Sequence, residues 1–344
     1  MRKFIPVLLL LCLTAVMILG CRPDGDEGFQ SAEPEGSITP SSTATIAVGA
    51  TIQVETQPPP EPTLTAPATV EPTQAFPHDL DCREIFCQEI WQGILARPIG
   101  EGGNQTIDHV YPYASTYNRT MDPHYGVEFP NRYGTPVLAS QAGEVVYAGT
   151  DDLTLLAVYT SFYGNVVIVK HPNLFLNQDL FTLYAHLSEI HVEVGETVTL
   201  GQEIGKVGLS GAALGAHLHF EVRLGENAYA ATTNPVLWFS PLDDPQIGQT
   251  GSLAGIILDQ YGDPLTEFEL TLQKLNAEGV VERTYYPKTY YPVGVNPHPI
   301  LGENFTLPDL PPGDYRLMFI ADGLYEISFT LEPGTLGFIK LQTD

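Results

Sequence analysis

Residues 208–222 read GLSGAALGAHLHFEV, a glycine-rich turn that leads into a segment alternating histidine with apolar residues. Side chains alternate between the two faces of a β-strand, so His217 and His219 should share one face, while Leu218 and Phe220 share the other. The two histidine Cα atoms would lie about 6.6 Å apart, close enough to serve one site. Taken alone, the pattern also fits two histidines on the solvated face of a half-buried strand.

A second histidine-containing segment supplies a carboxylate. His124 precedes Glu128 by four positions in the sequence HYGVE. Fully extended, the two residues would lie about 13 Å apart, too far to share an ion bound at about 2 Å. The segment must therefore bend, and Gly126 permits the bend. With His219 this predicts two imidazole nitrogens and one carboxylate oxygen around one ion. Three protein ligands and one open position are typical of a catalytic zinc site.

Two further histidines are predicted to lie beside this site. His186 closes an apolar strand in the sequence LYAHL, and His217 shares the face of His219. A neutral imidazole can take a proton from water or donate one to an oxyanion, and zinc lowers the pKa of water to about 7. The predicted reaction class is metal-assisted hydrolysis of an amide. For His186 alone, a buried core position is an equally good interpretation.

The stretch from His124 to Pro235 resembles the M23 (LytM/lysostaphin-type) zinc endopeptidase family. The shared motifs include HYGVE at 124–128, GTPV at 134–137, YGNVVI at 163–168, YAHL at 184–187, GAHLHFE at 215–221 and NP at 234–235. The resemblance implies a zinc ion held by His124, Glu128 and His219. It also implies His186 and His217 as the catalytic pair, in a groove floored by an antiparallel sheet. The implied substrate is a peptide bond in peptidoglycan stems or cross-bridges.

One residue departs from the family pattern. The third zinc ligand of the family is an aspartate, whereas this chain has Glu128. Glutamate oxygen is an acceptable zinc ligand, but its side chain is one methylene group longer. Because a catalytic site must be held to within about 0.5 Å, the longer side chain requires a compensating backbone shift.

The first 21 residues have the pattern of an export signal. Arg2 and Lys3 precede an apolar run that ends in ILGC at 18–21. A run this short is typical of a secretory signal peptide, not of a membrane span. Its ending resembles a bacterial lipobox, which implies that Cys21 is lipidated and anchors the exported chain to the cell membrane. An ordinary signal peptide or an uncleaved anchor is the alternative.

Residues 22–77 are rich in Pro, Thr, Ser, Glu and Ala, which predicts a disordered tether. In residues 78–105, apolar side chains recur with the spacing of a short helix, which predicts a helical cap or packing segment. Cys82 and Cys87 lie in this segment and are a disulfide candidate in an exported protein. Five helical residues rise about 7.5 Å, so either the helix begins near Cys87 or the two thiols stay free.

The remaining sequence predicts an all-β fold. Residues 106–240 combine short β-like runs with glycine turns, which is typical of an antiparallel sheet domain. Residues 251–344 predict a small β-sandwich. Its motifs GIILDQYGDPL at 255–265 and LPPGDY at 310–315 resemble carboxypeptidase regulatory-like modules. The one histidine of this region, His298, is expected to be solvated in its NPHP loop.

The net charge of −26 argues against nucleic acid as a partner. The export signal and the resemblance to the M23 family together imply a lipid-anchored, extracytoplasmic, zinc-dependent endopeptidase that cuts peptidoglycan peptides. The alternative is a non-catalytic module that binds peptidoglycan or activates another cell-wall hydrolase. A third interpretation makes the β-sandwich a carbohydrate or protein adhesion module. The metal content of the purified domain distinguishes the first two.

Overall fold

The computed structural model describes Leu80, Cys82, and residues 84–291 and 293–344. The predicted export signal, Cys21 and the tether over residues 22–77 lie outside the described residues. In the described part of the chain, no helix has both the length and the apolar character needed to cross a membrane.

The described residues form 19 β-strands and two short 3-10 helices. The strands are β1 (Phe86–Ile90), β2 (Val127–Pro130), β3 (Pro136–Leu138), β4 (Gly143–Thr150), β5 (Asn165–Phe175), β6 (Gln178–Ile190), β7 (Thr197–Val198), β8 (Glu203–Val207), β9 (His217–Leu224), β10 (Thr232–Thr233), β11 (Asp243–Asp244), β12 (Gly248–Gln249), β13 (Gly251–Leu258), β14 (Thr271–Leu275), β15 (Val281–Tyr285), β16 (Phe305–Leu310), β17 (Gly313–Ile320), β18 (Leu324–Leu331) and β19 (Thr335–Gln342). The 3-10 helices are Tyr229–Ala231 and Pro235–Trp238.

The larger sheet contains nine strands, and β9 pairs with three of them. Its main order is β10-β9-β6-β5-β4-β7; β2 also pairs with β9, and β8 pairs with both β6 and β3. All of these pairings are antiparallel. Along β9, Leu218 and Phe220 are fully buried, and the Phe220 ring packs edge-on against Tyr184. The prediction of an antiparallel all-β fold is confirmed.

Residues 251–344, which we call the C-terminal module, contribute most of two four-stranded sheets. Their strand orders are β1-β19-β13-β16 and β15-β14-β17-β18. Buried side chains from both sheets form one hydrophobic cluster, which includes Leu253, Leu272, Tyr315, Phe329 and Ile339. The alternation of buried and exposed residues along β17 explains why one face of its sheet closes this core.

The prediction of a helix in residues 78–105 is wrong. Residues 86–90 form β1, which pairs antiparallel with β19 and places Phe86 opposite Ile339. The Phe86 ring stacks on Phe329 with 4.5 Å between centroids, so β1 completes the sheet of the C-terminal module. Helical spacing of apolar residues is a local signal. Here it is overridden by backbone pairing with a strand about 250 positions away in the sequence.

The nine-stranded sheet and the C-terminal module contribute side chains to one buried hydrophobic cluster. Trp238, at the end of the second 3-10 helix, lies in the same buried cluster as Ala254 and Phe338 from the module. Arg97 donates two hydrogen bonds to the Asp309 carboxylate, with N–O distances of 2.6 and 3.0 Å. Residues 84–105 thus connect the two parts of the fold.

The expectation that His298 is solvated is wrong. Its side chain is fully buried, 4.9 Å from the Trp238 ring between centroids. Burial lowers the pKa of His298 to about 3, so the ring is neutral at pH 7. The NPHP loop packs against the nine-stranded sheet, where Asn296 forms a β-bridge with Thr233.

Glu303 is buried beside this loop. Its carboxylate accepts hydrogen bonds from the backbone N–H of His298 at 2.9 and 3.1 Å and from the Tyr290 hydroxyl at 3.1 Å. Burial outweighs these bonds and raises the pKa of Glu303 from 4.5 to about 7. Because the folded state then holds this proton more tightly than the unfolded state, the contribution of Glu303 to stability falls as pH rises from 4.5 to 7.

We therefore expect Glu303→Gln to raise the free energy of unfolding by about 1–3 kcal/mol at pH 8 and to change it little at pH 4. Glutamine keeps the acceptor oxygen and removes the buried charge. Urea unfolding at both pH values measures the difference. Glu278→Gln, in an exposed turn, is the matched control and should show no such pH dependence. An equal effect of Glu303→Gln at both pH values would contradict the prediction.

Candidate metal centre

Pairing of β2 with β9 brings Glu128 to the two histidines of β9. Glu128 lies directly opposite His219, and Pro130 lies opposite His217. Glu128 Oε1 lies 3.0 Å from His219 Nδ1, and Glu128 Oε2 lies 2.8 Å from His217 Nε2. Both histidines therefore project from the same face of β9, as alternation along a strand predicts.

His124 approaches the same carboxylate from the segment that precedes β2. Its Nε2 atom lies 2.9 Å from Glu128 Oε1 and 3.2 Å from His219 Nδ1. The chain between His124 and Glu128 is therefore bent, as the spacing requires. One nitrogen or oxygen atom from each of these three buried side chains lies within 4.8 Å of the others.

The hydrogen bonds around this cluster leave its inward atoms as electron-pair donors. His124 Nδ1 lies 3.1 Å from the Tyr111 carbonyl oxygen, so Nδ1 carries the proton and Nε2 presents a lone pair. His219 Nε2 lies 3.1 Å from the Glu221 carboxylate, so Nδ1 presents the lone pair. Two such nitrogens and a carboxylate oxygen at 2.9–3.2 Å repel one another unless a positive charge lies among them. Two histidines and one glutamate are a donor set that suits zinc.

The pKa values of His219 and Glu128 also indicate that a positive charge is favoured within this cluster. Burial lowers the pKa of His219, but the carboxylates of Glu128 and Glu221 outweigh burial and raise it to about 9. A proton on His219 Nδ1 is then the positive charge that a bound metal would replace. Burial raises the pKa of Glu128, but the adjacent histidines, His219 foremost, hold it well below its usual range. The carboxylate is therefore ionised and available to a cation at neutral pH.

Gly126 is needed for a reason other than the bend. A Cβ atom at this position would lie 2.4 Å from His219 Cε1 and 2.9 Å from the Phe220 carbonyl oxygen. Carbon atoms in contact are normally about 3.5–4.0 Å apart. The absence of a side chain at Gly126 thus lets the His219 ring lie against the backbone of the His124–Glu128 segment.

We expect Gly126→Ala to weaken zinc binding by about 10-fold or more and to lower stability by about 1–3 kcal/mol, because the added methyl group displaces the His219 ring. Competition with a chromophoric chelator measures the affinity, and urea unfolding measures the stability. Gly323→Ala is the matched control, because a Cβ atom at Gly323 meets nothing within 4 Å. Unchanged affinity in Gly126→Ala would contradict this account.

A buried charge network, to which the sequence pattern pointed without a predicted role, supports His219. Glu221 Oε2 accepts hydrogen bonds from Arg223 Nε at 2.8 Å and from the Thr232 hydroxyl at 3.2 Å, and the Tyr163 hydroxyl donates to Oε1. Glu221 and Arg223 are both fully buried. Burial raises the pKa of Glu221, but Arg223 and His219 outweigh it and lower this pKa to about 2. The signal was present in the sequence, since the two-residue period of His217 and His219 continues through Glu221 and Arg223.

His186 and His217 lie beside the cluster, with 4.8 Å between their ring centroids. His186 has a φ of +60° within β6, a conformation that is uncommon for residues other than glycine. Its Nδ1 donates to the Ser210 carbonyl oxygen at 2.9 Å, and burial lowers its pKa to about 4, so the ring is neutral at pH 7. His217 Nδ1 donates to the Gly215 carbonyl oxygen at 2.7 Å. Burial lowers the pKa of His217, but Glu128 outweighs burial and raises it above its usual value.

The other predicted site residues lie elsewhere. Cys82 and Cys87 form a disulfide with a Cα separation of 5.2 Å, and Cys87 lies within β1 instead of at the start of a helix. Cys21 lies outside the described residues.

Residues 122–231 match the family model of Peptidase family M23. We call them the M23 region. The match covers less than half of the chain, and it contains His124, Glu128, His186, His217 and His219. The M23 region corresponds to the part of the nine-stranded sheet in which these side chains meet.

Known proteins are similar to this chain over part of its length. The peptidoglycan DD-endopeptidase ShyA of Vibrio cholerae is 37% identical over 104 residues, which are 30% of this chain and 21% of ShyA. The uncharacterized lipoprotein YgeR of Escherichia coli is 34% identical over 116 residues, 34% of this chain and 39% of YgeR. The matches thus span less than two thirds of either relative. The catalytic domain of lysostaphin from Staphylococcus simulans is 26% identical, with a TM-score of 0.29, over 44% of this chain and 89% of that domain.

Proposed function

We propose that this protein is a zinc-dependent endopeptidase that hydrolyses peptide bonds of peptidoglycan stems or cross-bridges. The observation that carries the proposal is the convergence of His124, Glu128 and His219, with His186 and His217 adjacent. Enzymes of the M23 type use a metal and two further histidines. The M23 region contains candidates for all three metal ligands and for both of these histidines. The similarity to ShyA, named a peptidoglycan DD-endopeptidase, supports the choice of substrate.

His124 Nε2, His219 Nδ1 and a Glu128 carboxylate oxygen would hold the metal. A bound zinc ion supplies Lewis acidity, which polarises a peptide carbonyl and makes hydroxide available near neutral pH. His186 is neutral at pH 7, and its Nδ1 is occupied by the Ser210 carbonyl, so Nε2 is the atom that accepts a proton. His217 is likewise fixed through Nδ1, and its raised pKa suits a group that donates a proton from Nε2 to the leaving amine or the oxyanion.

The glutamate that replaces the family aspartate fits this proposal. Glu128 belongs to β2 and lies in register with His219, so its backbone position is fixed by strand pairing. From there its carboxylate reaches both His124 and His219 within 3.0 Å. We propose that the longer side chain is accommodated in this way and retains the metal.

We also propose the remaining organisation of the chain. Residues 1–21 would direct export and lipidation at Cys21, and residues 22–77 would tether the folded part to the membrane. The peptidase domain would span residues 106–240 and the β-sandwich residues 251–344. The lipoprotein YgeR supports an extracytoplasmic location. Membrane fractionation of Cys21→Ala tests the anchor, because loss of the acyl chains should release the protein.

The deciding experiment is digestion of purified peptidoglycan by the purified protein, followed by separation of the released peptides. Soluble fragments should appear with the protein, disappear after treatment with a zinc chelator, and reappear when zinc is added back. His217→Ala is the matched protein control, because it should bind zinc and release no fragments. If the zinc-loaded protein binds peptidoglycan and releases nothing, the non-catalytic alternative replaces this proposal.

A further inference from the structure

Backbone hydrogen bonds to residues 114 and 115 fix the position of His124. Ala114 N–H donates to the His124 carbonyl oxygen at 2.8 Å, and His124 N–H donates to the Ser115 carbonyl oxygen at 2.9 Å. The His124 ring also stacks on Tyr111, with 4.0 Å between centroids. The position of His124 is therefore set by residues 111–115 and by the turn that connects Ser115 to His124.

That turn is strained. Tyr117, Asn118 and Arg119 follow one another with φ values of 47°, 59° and 63°. Residues other than glycine visit this left-handed region singly, and a run of three persists only where surrounding contacts hold it. The question is which contacts hold it.

Some of these contacts lie within the turn, where the backbone N–H groups of Thr120 and Met121 donate to the Thr116 carbonyl oxygen at 3.1 Å. Others come from the C-terminal module. The Glu267 carboxylate accepts from Arg119 Nε at 2.7 Å and from the Thr116 hydroxyl at 3.4 Å. Lys288 Nζ donates to Asn118 Oδ1 at 2.7 Å. The Glu267 side chain is 17% exposed and that of Arg119 is 74% exposed, so solvent reaches this ion pair from the Arg119 side. The restraint on the turn comes from Glu267 contacting both Thr116 and Arg119.

The module also anchors the start of the segment. The Tyr113 hydroxyl lies 2.9 Å from the Asn296 carbonyl oxygen and accepts from the Asn296 N–H at 3.2 Å. Tyr113 is buried, and its ring packs edge-on against Tyr290 of the module. Residues 111–124 are thus fixed to the C-terminal module on both sides of Ser115.

We infer that Glu267 of the C-terminal module is a positioning residue for the metal site, which holds the 116–121 turn so that His124 faces Glu128 and His219. The inference rests on the proposed role of His124 as a metal ligand. The C-terminal module then has a role in metal binding. Without the module, the strained turn relaxes and His124 is lost from the cluster of metal ligands. The module is then part of the metal site's framework and not an independent appendage.

The test compares zinc affinity in the full chain and in Glu267→Ala, by competition with a chromophoric chelator. Loss of a group that orients a metal ligand typically weakens binding 10–100-fold, so we expect about a 10-fold rise in the zinc dissociation constant. The visible absorption spectrum of the cobalt-substituted protein should also change, because the ligand geometry changes. Combining Arg119→Glu with Glu267→Arg restores the pair in reverse and should recover most of the affinity.

The matched control is Glu282→Ala, which breaks the Lys274–Glu282 pair, 2.6 Å long, on the same module. It should leave zinc affinity and the cobalt spectrum unchanged. Zinc affinity of Glu267→Ala within twofold of the unmodified chain overturns the inference and leaves the proposed function intact. Failure of the unmodified chain to bind zinc overturns both.

Discussion

Replacement of His219 by alanine is expected to weaken zinc binding by more than about 100-fold and to abolish release of peptides from peptidoglycan. His219 contributes one of the three donor atoms, lies 3.0 Å from Glu128 and is buried, so water cannot easily take its place. Loss of an outer partner of a ligand already costs about 10–100-fold in affinity, and loss of the ligand itself should cost more. Chelator competition and peptidoglycan digestion measure the two effects.

His217→Ala is the control that separates metal binding from catalysis. His217 lies 2.8 Å from Glu128 but is assigned to proton transfer, so its removal should change zinc affinity only a few-fold. Hydrolysis should slow by about 10²–10⁴-fold, the usual effect of losing a general acid or base. If His219→Ala retained the affinity of the unmodified chain, the metal would have to be bound by other residues.

Replacement of Glu221 by alanine is expected to lower the free energy of unfolding by about 3–5 kcal/mol. The change leaves Arg223 fully buried without its counter-charge, and loss of one member of a buried ion pair typically has this cost. Urea unfolding in the presence of a chelator measures the change without the stabilisation that bound zinc adds. Zinc affinity should also fall about 10-fold, because His219 Nε2 loses its acceptor.

The double variant Glu221→Leu with Arg223→Met distinguishes these two effects. Replacement of a whole buried ion pair by apolar side chains is often neutral or stabilising, so stability should largely recover. Zinc affinity should stay reduced, since leucine cannot accept the His219 proton. Recovery of zinc affinity together with stability would show that Glu221 acts on the site only through the fold.

The all-β fold could be predicted because its signals are local. Short alternating runs bounded by glycine turns identify strands wherever one face of a sheet is buried. The same period placed His217 and His219 on one face, and the structure has them there, both close to Glu128. The bend between His124 and Glu128 followed from distance alone.

The errors concern contacts between residues far apart in the sequence. Residues 86–90 have apolar side chains at helical spacing, but they pair with β19 because the C-terminal module leaves an open sheet edge there. His298 was expected to be solvated because it lies in a proline-rich loop. In the structure its ring packs against the Trp238 ring. Gly126 was expected to permit a bend, and the close approach of the His219 ring is a further reason for glycine that the sequence did not indicate.

The sequence by itself determined the chemistry that the chain carries: four histidines and a glutamate, three of the histidines in strand-forming segments, and the two-residue period that aligns His217, His219, Glu221 and Arg223. Such information is local, because the geometry of one strand fixes the direction of each side chain. Only the tertiary structure decided that Glu128 lies opposite His219, that Glu221 is buried with Arg223, and that Glu267 reaches the turn before His124. These contacts depend on which strands pair and pack, and that choice is made by burial and hydrogen bonding summed over the whole fold.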